Sequence, residues 1–474
     1  MRVTLLGTGS ADGWPNPFCT CASCDGERRE GRSRAPSSAL VDDVVLVDCG
    51  PTVPHAISRL GRHLRDVEHV LLTHGHPDHL DPAFLLSREW VSSAHVLHVW
   101  GPPLAIDLCR DWLGPDSPVE LHPVSPGDHP LLATAQGVYR ARFLAARHGS
   151  GNGDALADEA LLVELTDPRH ERLIYATDTG PVDAHLWDGV GPAAVVLMDE
   201  TFGDTVDHGT GHLDLSTLPD FVAGLRVAGA ITGRTLLVAT HLSHHNPPTG
   251  VLRTRLAELE VLVLDDLVTI DTRYAGGVPP LRRLVLGGAR SGKSTFAEAL
   301  AAGIPTTSVT YVATGGSRAD DAEWTERVDA HRARRPAHWT TVESLDLVAE
   351  LAAAPAGSVI LIDCLALWLT GRLDALDAWA RAERGAAAVV RAEIAEDVTA
   401  LGAAIRASGA SVIAVSNEAG MGVVPATGSG RLFRDLLGIV NSRVADACDE
   451  VTLMVAGRPL RLDSAPHDRR EARA

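Results

Sequence analysis

One short segment constrains the fold of this chain more than any other. Residues 284–300 read LVLGGARSGKSTFAEAL and contain the pattern G-x-x-x-x-G-K-[ST] of a phosphate-binding loop. The apolar residues before the loop predict a short buried strand, and the residues after it predict a helix. The pattern needs both neighbours, because the backbone N–H groups of the loop and the N-terminus of the helix together surround phosphate oxygens. This part of the chain is therefore expected to form a P-loop domain with a parallel α/β sheet.

The lysine of this loop is the only lysine in 474 residues. Since Lys and Arg together number 42, the other 41 fixed positive charges are arginines. A compact ammonium fits between the β- and γ-phosphates of a nucleotide, where a planar guanidinium fits poorly. This lysine is therefore a candidate catalytic residue, and the serine after it is expected to hold Mg²⁺. The predicted nucleotide-binding residues of the loop are Gly287, Gly288, Arg290, Ser291, Gly292, Lys293, Ser294 and Thr295.

The composition limits the partners of the chain. Its formal charge is 42 − 61 = −19 and its hydrophobic content is 45%. These values fit globular domains and argue against a broad nucleic-acid or membrane-surface footprint. The N-terminal sequence MRVTLLGTGS has too short an apolar run for a signal peptide, and no stretch reaches the roughly 18 apolar residues of a membrane helix. We therefore expect a cytoplasmic protein with no membrane span and no nucleic-acid partner.

The chain is expected to fold as two domains. The segment DTRYAGGVPP predicts a linker, because Gly-Gly and Pro-Pro interrupt any periodic pattern. The predicted division is an N-terminal domain of residues 1–272, a linker of residues 273–281 and a C-terminal domain of residues 282–474. Apolar runs such as VVLVDCG, AAVVLMDE and TLLVATH end on polar or ionisable residues, which strands would present at one edge of a sheet.

A cluster of metal-binding side chains follows one of the N-terminal strands, in the segment LLTHGHPDHLD. The spacing lets its first two histidines face one divalent cation while Asp78 and His79 face a second. Two cations bridged by an aspartate would generate hydroxide and clamp a phosphoryl or acyl oxygen, so Asp78 is also a candidate catalytic residue. His122 and His129 compete with His148 for one downstream position. The predicted ligands of the two cations are His74, His76, Asp78, His79, His148, Asp178 and His241.

These residues make residues 1–270 resemble the metallo-β-lactamase superfamily, whose signature is H-x-H-x-D-H followed by separated His, Asp and His. The resemblance implies an αββα sandwich with a dinuclear Zn²⁺ or Mn²⁺ site. Within the superfamily, the stretches CTCASC and THLSHH are similar to the phosphodiesterases of phosphonate-degradation operons. That similarity implies a separate structural Zn²⁺ held by Cys19, Cys21, Cys24 and His244, a closed shell without an open catalytic position. Three reduced thiols without a metal are the alternative interpretation.

A histidine in the stretch GHLDLST matches the catalytic histidine of the same relatives. His212 is therefore the candidate general acid that protonates the leaving oxygen. His208, in VDHGTGH, is a rival for this role, and both are surface histidines of a Gly-rich loop in the alternative interpretation.

Two further features of the C-terminal half point to nucleotide chemistry. Asp363 ends the strand of SVILIDCLALWLT and is predicted to help position Mg²⁺, with a helix N-cap as the alternative role. The segment DAEWTERVDAHRARRPAHW carries several arginines around His331 that are candidates to bind phosphates, although a solvated helix face is the default for such a charge run.

The C-terminal half resembles the bifunctional adenosylcobinamide kinase/adenosylcobinamide-phosphate guanylyltransferases of cobalamin synthesis over residues 282–460. The matching stretches are GGARSGKS, YVAT, DAEW…RVDAHRARRPAHW, SNEAGMGVVP and FRDLLGIVNSRVADACDEV. The resemblance implies phosphorylation of adenosylcobinamide by ATP or GTP with Mg²⁺, then GMP transfer from GTP by way of a guanylylated histidine. It also implies a homo-oligomer, a trimer. His331 is the candidate nucleophile, within one residue of register, or an N–H donor to bound nucleotide.

The fusion of these halves suggests neighbouring steps of one pathway. We hypothesise that the N-terminal domain cleaves a phosphoester of nucleotide-loop assembly, such as α-ribazole phosphate or adenosylcobalamin phosphate. The alternatives are a general cyclic phosphodiesterase, a nuclease, which the net negative charge disfavours, and a non-catalytic metal-stabilised scaffold.

Overall fold

The computed structural model describes residues 1–91, 95–149, 153–274, 277, 279–304, 308–316, 335–336 and 338–462. The chain divides into two compact units, Met1–Arg273 and Tyr274–Ala474. No helix among the described residues is both long and apolar enough to cross a bilayer.

Two seven-stranded sheets form the first unit. Its strands are β1 Arg2–Gly7, β2 Ser38–Val41, β3 Val45–Val47, β4 His69–Leu71, β5 Leu97–Gly101, β6 Val119–Pro123, β7 Leu131–Thr134, β8 Gly137–Ala145, β9 Leu161–Thr166, β10 Arg172–Ala176, β11 Val195–Asp199, β12 Leu236–Thr240, β13 Val261–Leu262 and β14 Thr269–Asp271. The strand orders are β14-β1-β2-β3-β4-β5-β6 and β13-β12-β11-β10-β9-β8-β7.

Helices cover one face of each of these sheets. They are α1 Ala22–Glu30, α2 Val53–Arg59, α3 Pro82–Leu86, α4 Pro103–Arg110, α5 Ala155–Asp158, α6 Leu218–Val227 and α7 Thr249–Ala257, with short 3₁₀ helices at Ser87–Trp90 and Ala184–Trp187. Val99 of β5 packs in one apolar cluster with Ile106 of α4. Val196 of β11 packs in another with Phe221 of α6. The αββα sandwich predicted for this unit is confirmed.

Parallel pairing places the N-terminal site. Strands β10, β11 and β12 pair in parallel, as do β3 and β4. The carboxyl ends of parallel neighbours meet at one edge of a sheet. Residues that follow these strands, such as Asp178 after β10 and His241 after β12, are therefore brought together although they are far apart in sequence.

One seven-stranded sheet forms the second unit, in the order β17-β16-β18-β19-β15-β20-β21. Its strands are β15 Arg282–Gly287, β16 Val309–Ala313, β17 Thr340–Glu343, β18 Val359–Asp363, β19 Ser411–Asn417, β20 Glu450–Val455 and β21 Arg458–Leu462. Its described helices are α8 Lys293–Gly303, α9 Leu347–Ala353, α10 Leu365–Ala375, α11 Ala378–Arg381, a π-helical turn Ala382–Ala386, α12 Ala387–Ala407 and α13 Gly428–Ala445. All strand pairs are parallel except β20 with β21, so the predicted parallel α/β sheet is confirmed.

Candidate metal centre and nucleotide site

The first group of ligand-type side chains joins the loop after β4 to two later loops. Nε2 of His74 lies 2.9 Å from Nδ1 of His76, which lies 3.2 Å from Nε2 of His148. Oδ2 of Asp178 lies 3.3 Å from Nε2 of His74 and 3.7 Å from Nε2 of His148. One ligand atom from each of these four residues lies within 4.8 Å of the others.

The second group shares Asp178 with the first. Nε2 of His79 lies 3.1 Å from Oδ2 of Asp78 and 3.1 Å from Oδ2 of Asp178. Nε2 of His241 lies 2.8 Å from Oδ1 of Asp178. The shared carboxylate therefore stands between two sets of ligand atoms, where it is able to bridge two cations.

The spacing of these atoms fits divalent cations. Metal–ligand bonds of about 2.0–2.1 Å in a tetrahedral shell place neighbouring ligand atoms about 3.3 Å apart, close to the separations above. Nε2 of His79, Nε2 of His241 and Oδ1 of Asp178 are buried and lack a well-formed hydrogen bond among the described residues. Buried polar atoms that lack well-formed hydrogen bonds are rare in proteins, so this donor set suits a bound cation. Asp178 and His241 also adopt positive φ values of 51° and 57°, a cost of about 1–3 kcal/mol each that is common at functional sites.

In each of these histidines, the outer ring nitrogen, which is the one that does not face the other candidate ligands, contacts a further polar group. Asp154 lies 2.9 Å from Nε2 of His76, and Asp48 lies 2.7 Å from Nδ1 of His79. The remaining outer contacts are Thr73 Oγ1 to His74, the Gly211 carbonyl to His148 and Thr201 Oγ1 to His241. Such contacts fix the ring orientation and tautomer, leaving the inner nitrogen available to a metal.

The electrostatics of the centre call for positive charge. Burial and the neighbouring His79 lower the pKa of His74 to about 3. Burial also disfavours the charged forms of His79 and His241, but attraction to the Asp178 carboxylate is stronger than this effect. The pKa of His79 is therefore raised well above its usual value, and that of His241 is raised to about 10. Burial also opposes ionisation of Asp178, yet the two histidines hold its pKa well below its usual range. In the absence of a metal, the two histidines therefore balance the charge of the buried carboxylate, and a divalent cation would take over that role.

The histidine of GHLDLST lies beside this centre. The ring of His212 stacks on that of His241, with ring centroids 5.3 Å apart. Its Nδ1 lies 2.9 Å from Oδ2 of the buried Asp199, and its side chain retains 19% exposure. The rival His208 instead pairs with Asp214 at 2.9 Å and has only 5% of its side chain exposed.

The three clustered cysteines also come together. Ligand atoms of Cys19, Cys21 and Cys24 lie within 4.8 Å of one another. Burial raises the pKa of Cys24 to about 12. His244 is not part of this group: its Nδ1 contacts Asp12 at 2.7 Å, while its backbone carbonyl lies 3.9 Å from the Cys21 sulfur.

The phosphate-binding loop of the second unit connects β15 to α8. Gly292 has φ of +88°, a conformation that L side chains rarely adopt, and it immediately precedes Lys293 at the start of α8. Nζ of Lys293 lies 3.2 Å from the carbonyl of Gly288. A Cβ on Gly287 would lie 2.4 Å from Oγ of Ser291, so only glycine fits there. The hydroxyl of Ser291 is buried and has no hydrogen-bond partner among the described residues.

The end of β18 carries the second predicted nucleotide-site carboxylate. Oδ2 of Asp363 accepts a hydrogen bond of 2.7 Å from the hydroxyl of Tyr311. The guanidinium of Arg335 lies 3.3 Å from the centre of the Tyr311 ring. The candidate nucleophile His331 lies outside the described residues, but Arg335 belongs to the same segment, DAEWTERVDAHRARRPAHW.

Sequence reasoning missed the residues that hold the histidines. The sequence contained a signal for Asp48 and Asp199, since each directly follows an apolar run that was expected to form a strand and to present polar groups at a sheet edge. Asp154 had no such signal, because it follows no apolar run in the sequence and contacts His76 only through the fold.

Comparisons with known proteins divide the chain in the same way. Residues 283–462 match the family described as cobinamide kinase/cobinamide phosphate guanyltransferase. Residues 44–242 match the beta-lactamase superfamily domain. The bifunctional adenosylcobalamin biosynthesis protein CobP of Pseudomonas aeruginosa is 42% identical over 195 residues, which is 39% of this chain and 99% of the relative.

Two further similarities concern the same two regions. The bifunctional adenosylcobalamin biosynthesis protein CobU of Salmonella typhimurium is 42% identical over 177 residues, covering 37% of this chain and 95% of the relative. A solved structure of a diphosphatase from the PhnP family matches with a TM-score of 0.45 and 19% identity, covering 57% of this chain and 97% of the other.

The chain is thus an enzyme that joins a unit of metallo-β-lactamase fold to a nucleotide-binding P-loop unit. Through the second unit it belongs to the cobinamide kinase/cobinamide phosphate guanyltransferase family.

Proposed function

We propose that the C-terminal unit catalyses two consecutive transfers in cobalamin biosynthesis. It phosphorylates the aminopropanol hydroxyl of adenosylcobinamide with ATP or GTP, and it then transfers GMP from GTP to that phosphate, giving adenosylcobinamide-GDP. Membership of the family supports this assignment. The observation that carries it is the chain's single lysine at the start of α8, directly after Gly292 in its left-handed conformation, as a phosphate-binding loop requires.

The kinase step is a displacement at the γ-phosphorus. The substrate hydroxyl oxygen forms a bond to phosphorus and releases its proton to solvent, while the bond to the β–γ bridging oxygen breaks and the nucleoside diphosphate leaves. Lys293 and the N–H groups of the loop would hold the phosphates in line. Mg²⁺ held by Ser294 and Asp363 would neutralise charge on the transferring group.

The guanylyl transfer uses the other end of the nucleotide. An imidazole nitrogen of His331 attacks the α-phosphorus of GTP and pyrophosphate leaves. An oxygen of adenosylcobinamide phosphate then displaces the imidazole, forming the new diphosphate. Arg335, which stacks on Tyr311 near Asp363, brings a fixed positive charge to this part of the site.

Two substitutions separate the two activities. Lys293→Ala is expected to abolish kinase activity. His331→Asn is expected to keep kinase activity but to lose the acid-labile protein adduct formed with GTP labelled at the α-phosphate. The exposed His338 provides a matched control, since His338→Asn should retain the adduct. An adduct that persists in His331→Asn would assign the nucleophile elsewhere.

We further propose that the N-terminal unit is a dinuclear-metal phosphoesterase with His212 as its general acid. The support is the Asp178 carboxylate, which lies between the His74–His76–His148 group and the Asp78–His79–His241 group, with His212 stacked on His241 beside them. Divalent cations held there would supply Lewis-acid polarisation of a phosphoryl group. Nε2 of His212 would donate a proton to the leaving oxygen while Asp199 holds the opposite nitrogen. The three thiols of Cys19, Cys21 and Cys24 suit a structural Zn²⁺.

The substrate that we propose is a phosphoester of nucleotide-loop assembly. The test is a mass-spectrometric survey of the metal-loaded Lys293→Ala protein with α-ribazole phosphate, adenosylcobalamin phosphate and a ribose cyclic phosphate. Release of phosphate from either cobalamin-pathway compound, lost in His76→Ala, is the expected result. Opening of only the cyclic ester would make the unit a general phosphodiesterase, and no hydrolysis by the metal-loaded protein would make it a scaffold.

A further inference from the structure

A second cluster of metal-ligating side chains lies on β5 and β6. These strands pair in parallel, with His98 opposite Glu120 and Trp100 opposite His122. Side chains two residues apart on a strand point to the same face. The register therefore places His98, Glu120 and His122 together on one face, at the edge of the sheet where β6 is the last strand.

The three ligand atoms form a compact triangle. Nδ1 of His98 lies 3.0 Å from Nε2 of His122 and 3.4 Å from Oε2 of Glu120. Nε2 of His122 lies 3.8 Å from the same carboxylate oxygen. The sides of this triangle bracket the roughly 3.3 Å that separates neighbouring ligands in a tetrahedral Zn²⁺ shell.

We propose that His98, Glu120 and His122 form an additional Zn²⁺ site, separate from both ligand groups of the candidate centre, with water as the fourth ligand. Two imidazoles and one carboxylate are a ligand set that Zn²⁺ binds with an open position. Side-chain exposures of 31%, 59% and 29% leave the site accessible from solvent. None of the three residues belongs to the other candidate ligand groups among the described residues.

Neighbouring side chains orient one of the ligands. The indole of Trp100 stacks on the ring of His122, with centroids 4.0 Å apart and planes inclined by 16°. The indole N–H points to Nδ1 of His69 at 3.2 Å, and Nε2 of His69 lies 2.9 Å from the carbonyl of Ala133. This chain of contacts holds the His122 ring in place, as outer contacts do for other metal-binding histidines.

The consequence of the site is a cross-link at a sheet edge. Zn²⁺ bound there joins β5 to the edge strand β6, which otherwise is held by backbone hydrogen bonds on one side only. Binding to the folded state alone also raises the stability of the fold as free Zn²⁺ rises.

The first test is the metal content of the full-length holoprotein after equilibrium dialysis against buffered Zn²⁺. Each of His122→Gln and Glu120→Gln is expected to bind one equivalent of Zn²⁺ less than the original protein. His185→Gln is the matched control, because His185 is 87% exposed and has a single carboxylate neighbour at 3.2 Å. Equal zinc content in all four proteins would overturn the proposal and leave a hydrogen-bonded histidine pair.

A spectroscopic test does not depend on counting metals. Ni²⁺ bound beside His122 should quench the fluorescence of the stacked Trp100, so titration with Ni²⁺ should give a quenching phase that is absent in Trp100→Phe and in His122→Gln. Circular dichroism checks that both variants are folded. A quenching phase that persists in either folded variant would contradict the site.

Discussion

The hydrogen bond between His212 and Asp199 offers the sharpest test of the N-terminal chemistry. Asp199→Asn preserves the size of the side chain and the Oδ1 atom that accepts from Leu213 N at 3.0 Å and from the hydroxyl of Thr201 at 2.9 Å. It removes the charge that faces Nδ1 of His212 at 2.9 Å. The amide would then donate to that nitrogen instead of accepting from it.

The expected fall in kcat follows from the type of hydrogen bond that is lost. A hydrogen bond to a charged group contributes about 1.5–3 kcal/mol. Since each 1.36 kcal/mol is tenfold in rate, kcat should fall about 10- to 150-fold for a substrate whose leaving group must be protonated. Asp199 is completely buried, so solvent does not compensate for the change.

The assay compares two leaving groups. α-Ribazole phosphate releases an alkoxide that needs the proton from His212, whereas p-nitrophenyl phosphate releases an already stable anion. Asp199→Asn and His212→Asn should therefore impair the first substrate far more than the second, and metal content should stay unchanged. In the His212→Asn background, the further change Asp199→Asn should have little effect, because Asp199 acts through His212. Equal losses on both substrates, or additive effects in the double variant, would refute the reasoning.

Three other substitutions give further predictions. Asp154→Asn keeps the oxygen that caps α5 but removes the charge 2.9 Å from His76, so metal affinity should fall about 10- to 100-fold by isothermal titration. Lys293→Arg keeps the charge but not the compact shape, so nucleotide affinity should fall at least about tenfold in a fluorescent-nucleotide binding assay. Burial opposes the ionised form of Asp214, but Ser216 and His208 lower its pKa to about 2. Its stabilisation is therefore present above the unfolded value of about 3.9 and lost towards pH 2, so Asp214→Asn should lower the urea midpoint clearly at pH 7 and less at pH 3.

Each of these predictions has an outcome that contradicts it. Metal affinity unchanged in Asp154→Asn would mean that the carboxylate does not orient His76. Full nucleotide affinity in Lys293→Arg would mean that charge alone suffices in the loop. A stability difference for Asp214→Asn that stays constant from pH 7 to pH 3 would show that the native carboxyl titrates as it does in the unfolded chain.

Local sequence patterns predicted the elements that lie next to the chemistry. The phosphate-binding loop carries its own requirements, a strand before it and a helix after it, and β15 and α8 meet both. The segment LLTHGHPDHLD likewise fixes four ligand-type residues in one loop after β4. In the phosphate-binding loop and in LLTHGHPDHLD, the residues that act together are close in sequence, so their spacing is enough to predict that they lie together in the fold.

The partners that hold these residues could not be predicted, because they come from distant parts of the chain. Asp48 lies 31 positions before His79 and contacts its ring at 2.7 Å. The cluster of His98, Glu120 and His122 depends on the register of β5 with β6, and a shift of one residue would turn the two strands' ligands to opposite faces.

The sequence by itself therefore determined the two-part organisation and the strand and helix around the phosphate-binding loop, and it supplied most of the candidate metal ligands, since each is a local property of composition and spacing. The tertiary structure decided which ligand-type side chains lie together, that His212 rather than His208 stands beside the centre, and that His244 turns to Asp12. Those outcomes depend on sheet pairing and loop packing, where contacts between distant residues are selected by the burial of the whole core rather than by local sequence.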